Sequence, residues 1–179
     1  MTSVPRTSQP TNPPSLADHL EALDKSFQVF SAAAKGYPRD LSREKPTATA
    51  FSATEIVYHV LDVERLWQRR IRGLLDATMT KFQQMDPDKE ARDGRYNEKP
   101  YDAGISEWEQ ARKETITLLR EMKPRELLLS GVHSKYGEMN SFAILKIMEE
   151  HDRTHAAQLE RTLAKVSQAK AGATLHTTQ

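Results

Sequence analysis

Cysteine is absent from all 179 residues. That absence removes disulfides, thiolate metal sites and cysteine nucleophiles together, and leaves histidine and carboxylate as the metal ligands to consider. Long apolar runs are missing too: none approaches the roughly 18–20 residues of a membrane span, so no membrane partner is expected. A charge excess of either sign is lacking, with 26 Lys and Arg against 25 Asp and Glu. That balance supplies no basic face, and nucleic acid is therefore not expected as a partner. Residues 1–14 carry no apolar stretch like a signal peptide and are rich in Thr, Ser, Pro and Asn; they read as a disordered tail. With the missing cysteine, this gives a cytoplasmic reading. Strand signals are sparse, and residues 126–132 form the one short candidate.

What is present is helical rhythm, and the length suits one domain with one core. A first stripe steps Leu16, Leu20, Leu23, Phe27, Phe30, Ala34, with Ser15 and Asp18 placed as a cap and Gly36-Tyr37-Pro38 as its end. Ser52-Ala53-Thr54-Glu55 fits a capping box and opens a second stripe through Ile56, Val60, Val63, Trp67, Ile71 and Leu74, fading near Asp76. The third carries Ile105, Trp108, Thr115, Leu119 and Met122 before Pro124. Asn140 reads as the cap of a fourth, which runs through Ile144, Met148, Leu159 and Val166. Four amphipathic helices over residues 15–167 predict an all-α four-helix bundle, with residues 168–179 as a flexible C-terminal tail. The connection between helices two and three, about 25 residues, is long by ordinary standards. It either recrosses the bundle, making those helices parallel, or covers a site. Trp108 and the outer apolar positions of helices one and three are either core or a homodimer face.

His151 and His155 stand one helical turn apart, at positions where the fourth helix's core line calls for apolar side chains. The spacing lets two imidazoles converge on one face. A buried imidazole without partners costs about 1–3 kcal/mol, and two in successive turns double that demand. A shared divalent ion answers it; hydrogen bonds to helix carboxylates are the other reading. His59, beside Ile56, Val63 and Leu66 at the edge of the second stripe, offers a third imidazole from a second inward face. Asp62, Glu55 and Asp152 lie near these histidines in sequence, and a ligating imidazole commonly passes its other N–H to a carboxylate, so Asp62 and Asp152 are candidate supports. His19 and His176 sit on a polar flank and near the chain end. His133, in Gly131-Val132-His133-Ser134-Lys135-Tyr136-Gly137, reads as part of a surface turn. The segment His151-Asp152-x-x-His155 imitates a zincin motif, but aspartate is shorter than the general-base glutamate and the partner sheet is missing. A di-iron bundle needs two Glu-x-x-His segments, and the sequence contains none.

Three groups of residues together resemble the DinB/YfiT-like family of bacterial proteins: Phe51-Ser52 with His59-Val60-Leu61-Asp62-Val63-Glu64; Gly131-Val132-His133 with Tyr136-Gly137-Glu138-Met139; and Glu150-His151-Asp152-Arg153-Thr154-His155-Ala156-Ala157-Gln158-Leu159. The resemblance runs over nearly all of residues 15–166. It implies an up-down-down-up bundle and a divalent metal, zinc or nickel, held by His59, His151 and His155. It further implies a metal-dependent enzyme that transfers a low-molecular-weight thiol, such as bacillithiol or mycothiol, to a small electrophilic substrate in detoxification. A metal-dependent hydrolase of the same fold, or a bundle that only holds its metal, are the alternatives. An open position on such an ion is catalytic in style, since structural sites are usually closed by four protein ligands. With no cysteine in the chain, any thiol must arrive as a cosubstrate.

Overall fold

The computed structural model describes residues 15–176, so the tail expected over residues 1–14 lies outside the described residues. Four long helices dominate, and the sequence sets where three of them start. Helix α1 (Leu16–Gly36) opens on a capping box: the Ser15 hydroxyl accepts from the Asp18 amide and the Asp18 carboxylate returns to the Ser15 amide. Helix α2 (Ala53–Leu75) opens the same way on Ser52 and Glu55, and Asp76 caps its end. Strand β1 (Lys81–Phe82) and a short helix α3 (Pro87–Asp93) follow, the latter started by Pro87 and by the Asp86 carboxylate on two backbone amides. Helix α4 (Tyr101–Glu121) ends before Pro124. Strands β2 (Ser130–His133) and β3 (Gly137–Asn140) form a hairpin. Gly137 closes its turn at φ +74°, a left-handed value that favours glycine. Helix α5 (Ser141–His176) is the last, and the Asn140 side chain accepts from the Ala143 amide at its start.

Side-chain pairs fix the helix directions. Along α2 and α4, Tyr58 neighbours Gly104, Arg65 pairs with Glu107, and Gln68 reaches Ala111 and Thr115, so both numbers rise together and the helices are parallel. His19 against Phe142 and Ser26 against Asp152 make α1 and α5 parallel as well. Tyr101 on Ala34 and Arg112 on Leu23 make α1 and α4 antiparallel. The result is an up-down-down-up bundle.

The long connection after α2 does both things the sequence left open. It returns the chain so that α4 runs parallel to α2, and it supplies Gln84, Met85 and Pro87 to a cavity wall. It also contributes β1, which pairs parallel with β2 through Phe82 opposite His133, in a sheet of order β1-β2-β3. Of residues 126–132, expected as a strand, the part from Ser130 on lies in β2, whereas Glu126–Leu128 forms a turn of 3-10 helix. Helix α5 continues through His176, past Gln168, where the sequence reading placed a flexible tail; Ala169, Lys170 and Ala171 are good helix formers and extend it.

The core falls into two apolar clusters. One gathers Phe30, Tyr37, Val57, Leu61, Trp108 and Ala156; the other gathers Leu23, Trp67, Phe82, Leu119, Ile144 and Met148. Trp108 is fully buried between Phe27 and Phe30, so it is core and not a dimer face. Between the clusters in chain order on all four long helices lies a buried polar layer: Ser26, Glu64, Arg112, Thr115 and Asp152. Among the described residues, no helix is long and apolar enough to cross a membrane.

Candidate metal centre

His59 sits on α2 where that helix is buried nearly all round, and His151 and His155 sit one turn apart on α5, antiparallel across the gap. The three rings close into a triangle, with centroids 5.1 Å apart for His59–His151, 4.8 Å for His59–His155 and 4.3 Å for His151–His155. One nitrogen from each lies within 4.8 Å of the others. The Nε2 atoms of His59 and His151 face each other at 3.2 Å. Two nitrogens at about 2.1 Å from a common ion stand about 3.0 Å apart at a right angle and about 3.4 Å at the tetrahedral angle, so the observed span falls between the two.

Protonation favours the same use. Burial pushes the His59 imidazole down to about 3, with neighbouring His155 adding to the effect. His151 is held well below its ordinary value by burial, then by His155, His59 and Arg112. Burial also lowers His155, opposed by its bond to Gln158. All three are neutral near pH 7 and present lone pairs, as metal ligands must. The His155 Nδ1–H donates to the Gln158 Oε1 at 2.6 Å; an amide oxygen only accepts, so the Nε2 of His155 is left free to ligate. His59 Nδ1 is buried without a partner. Three neutral imidazoles converging without a carboxylate among them suit a borderline-soft divalent ion such as zinc. The residues fit the group.

The expected carboxylate supports are placed elsewhere. Asp62 accepts a short hydrogen bond from the Tyr96 hydroxyl. Asp152 accepts from Ser26 at 2.7 Å and from both terminal nitrogens of Arg112 at 2.8 and 3.1 Å. Each turns from the histidines because a partner helix or loop offers it a better donor. Glu55 is taken by Lys45 and by its own helix cap. The support that sequence reasoning did not assign is Gln158, one turn beyond His155 on the same face.

A cleft of about 300 Å³ opens directly in front of the triangle, at the small end of ligand-site sizes. Phe51, Val63, Leu66 and Ile147 give it an apolar lining, and Trp67, Arg70, His133 and Tyr136 complete the far wall. His133 corrects the surface-turn expectation: it is 3 % exposed, at the end of β2, and its Nδ1 accepts from the backbone amides of Lys135 and Tyr136 at 3.0 and 3.3 Å. Burial, then Arg70 and Lys135, lower its pKa. A signal for the far wall was present in the sequence: His59, Val63, Leu66, Trp67 and Arg70 share one helical face, and an arginine on such a stripe is out of pattern.

The model for the DinB superfamily matches residues 6–159. The chain belongs to the DinB superfamily. Solved structures share its fold at low identity. A Bacillus subtilis protein, YfiT, described as a probable metal-dependent hydrolase with an unusual four-helix bundle topology, is similar with a TM-score of 0.71 and 12% identity, covering 92% of this chain and 94% of that one. TT2238, described as a four-helix bundle protein, gives 0.62 at 16% identity, covering 82% and 99%. The colibactin self-resistance protein ClbS, in complex with a double-stranded DNA, gives 0.66 at 11% identity, covering 83% and 95%. None of the curated proteins matches the sequence.

The ClbS complex corrects one expectation. ClbS, a protein of the same fold, is found in complex with a double-stranded DNA, so near-zero net charge gives no ground for setting nucleic acid aside in this chain. Whole-chain charge is a sum, and it is the local arrangement of cations that phosphates meet.

Proposed function

We propose that this DinB protein is a metal-dependent enzyme that transfers a low-molecular-weight thiol to a small electrophile, with His59, His151 and His155 holding a divalent ion. The observation that carries the reading is the pairing of three neutral imidazoles with an apolar cleft that has no Asp or Glu in its wall among the described residues. Peptidases of the HExxH type place a glutamate general base beside their ion, and this cleft carries none among its described residues. A divalent ion held by His59, His151 and His155 would supply the Lewis acidity that makes a low-molecular-weight thiol a nucleophile at neutral pH without a carboxylate base.

The chain's own residues have separable tasks. The three imidazoles would hold the ion at the head of the cleft. Gln158 holds the His155 ring in the tautomer that ligates through Nε2. Phe51, Val63, Leu66 and Ile147 keep water from the reacting sulfur and bind the apolar part of the electrophile. The transfer forms one carbon–sulfur bond and breaks one bond from that carbon to a leaving group, which departs with the thiol proton. Cysteine is absent from the sequence, so the chain has no thiol of its own to compete for the electrophile.

Cobalt substitution tests the reading. Addition of a small thiol to the cobalt protein should produce a sulfur-to-cobalt charge-transfer band that His155→Ala abolishes. The loaded enzyme should then consume thiol and a model electrophile in equal amounts. Turnover of activated esters with no thiol requirement and no such band would replace thiol transfer by hydrolysis, and a metal inert to both would make the bundle a metal holder.

A further inference from the structure

The wall of the cleft away from Phe51 collects hydrogen-bond donors, one of them buried without an acceptor. Arg70 is 3 % exposed. Its guanidinium stacks over Trp67, 4.3 Å from the ring centroid, and lies 5.3 Å from that of Phe82. One terminal nitrogen donates a short bond to the Gln83 carbonyl. No carboxylate pairs with it among the described residues. Burial and the adjacent Arg69 lower its pKa to about 10, so it stays charged at neutral pH.

Trp67, against which the guanidinium lies, has a buried Nε1–H with no partner. His133, 6.1 Å from the Trp67 ring, accepts at Nδ1 from two backbone amides. A neutral imidazole occupied in that way carries its proton on Nε2, which makes it a further donor. All three side chains line the cleft that holds the histidine triangle.

A buried cation without a counterion is costly, and proteins keep such groups where a ligand supplies the charge. Stacking on Trp67 leaves the guanidinium edge open to a planar partner, except for the terminal nitrogen already bonded to the Gln83 carbonyl. One cation flanked by two neutral donors balances a single negative charge, which fits a carboxylate better than a phosphate dianion.

Resting on the reading of this cleft as the substrate site, we propose that Arg70, Trp67 and His133 form a carboxylate subsite, so that the ligand is a small molecule with an apolar body and one carboxylate. Arg70 lies eleven residues beyond His59 on α2, a rise of about 16 Å, so the carboxylate sits at the opposite end of the ligand from the group that meets the histidines.

The test uses metal-free protein, which separates it from the proposed reaction. The indole N–H resonance of Trp67, assigned with Trp67→Phe, is followed by NMR while 3-phenylpropanoate or 3-phenylpropanamide is titrated in. The carboxylate should bind about tenfold or more tightly than the amide in the wild-type protein, a comparison that needs no variant. Arg70→Gln should bring the two within about twofold by weakening the carboxylate alone, and should leave metal stoichiometry unchanged. Equal binding of the two probes to the wild-type protein, or a preference that survives Arg70→Gln, overturns the subsite. Tighter binding of 2-phenylethyl phosphate than of the carboxylate overturns the assignment to carboxylates. A chain that takes up no metal yet prefers the carboxylate supports the subsite while refuting the proposed reaction.

Discussion

Methionine in place of Arg112 leaves two carboxylates stranded in the middle of the bundle. Arg112 reaches Glu64 through Nε and Nη2 at 3.0 and 2.7 Å, and Asp152 through Nη1 and Nη2 at 2.8 and 3.1 Å. All three side chains are no more than 2% exposed. Removing one partner of a buried ion pair costs about 3–5 kcal/mol, because the remaining charge cannot recover its hydration. Here one cation serves two anions, which places the loss at the upper end of that range. Domain stabilities are about 5–15 kcal/mol, so Arg112→Met should lose a third or more of that margin. The melting temperature of the metal-free protein should fall by about 10–20 °C for a chain of this size, and the urea midpoint should fall with it at unchanged slope. The triple variant Glu64→Leu, Arg112→Met, Asp152→Leu should regain most of the loss, since apolar replacement of a whole buried ionic cluster is often neutral or better. A loss below about 1 kcal/mol in the single variant, or a triple variant no more stable than it, would show that the buried cluster carries no such stability.

Three further outcomes are expected. In chelator, urea resistance should fall on acidification below about pH 6.5: the unfolded histidines take up protons that folded His59, His151 and His155 refuse, each contributing up to about 1.4 kcal/mol per pH unit between its folded and unfolded pKa. Stability that rose on acidification would contradict the burial of these rings. Gln158→Leu should weaken zinc binding about 10- to 100-fold in a competition titration while the fold is kept, since it deprives the His155 Nδ1–H of its acceptor. Gly104→Ala should cost about 1–3 kcal/mol on thermal unfolding, because its Cβ would stand 2.9 Å from side-chain atoms of both Val57 and Tyr58 where α2 and α4 meet.

The parts of this structure that were legible in sequence are those that local rules decide. Ser15 with Asp18 and Ser52 with Glu55 announce helix starts because the capping partners are three residues apart. His151 and His155 were visible because polar rings occupied an apolar line, and His59 because it bordered a second one. What sequence could not supply was the direction of a side chain whose partner is remote. Asp152 was read as a support for a histidine, but its partners are Arg112, 40 residues away, and Ser26, 126 away. Strand β1 is only two residues long and pairs with β2 some 50 residues later, too short for any alternation to register. The burial of His133 follows from that pairing, so it was hidden for the same reason. Nucleic acid was set aside on summed charge, a quantity that carries no spatial information.

A three-histidine metal site underlies the proposed chemistry, and the metal content of the protein is the sharpest check on it. Purified protein, analysed by plasma mass spectrometry after gel filtration, should carry about one divalent transition-metal ion per chain, and His59→Ala, His151→Ala and His155→Ala should each lower that content at least tenfold while remaining folded. Wild-type protein without metal after reconstitution with zinc or nickel, or stoichiometric metal retained in any of the three variants, would contradict it.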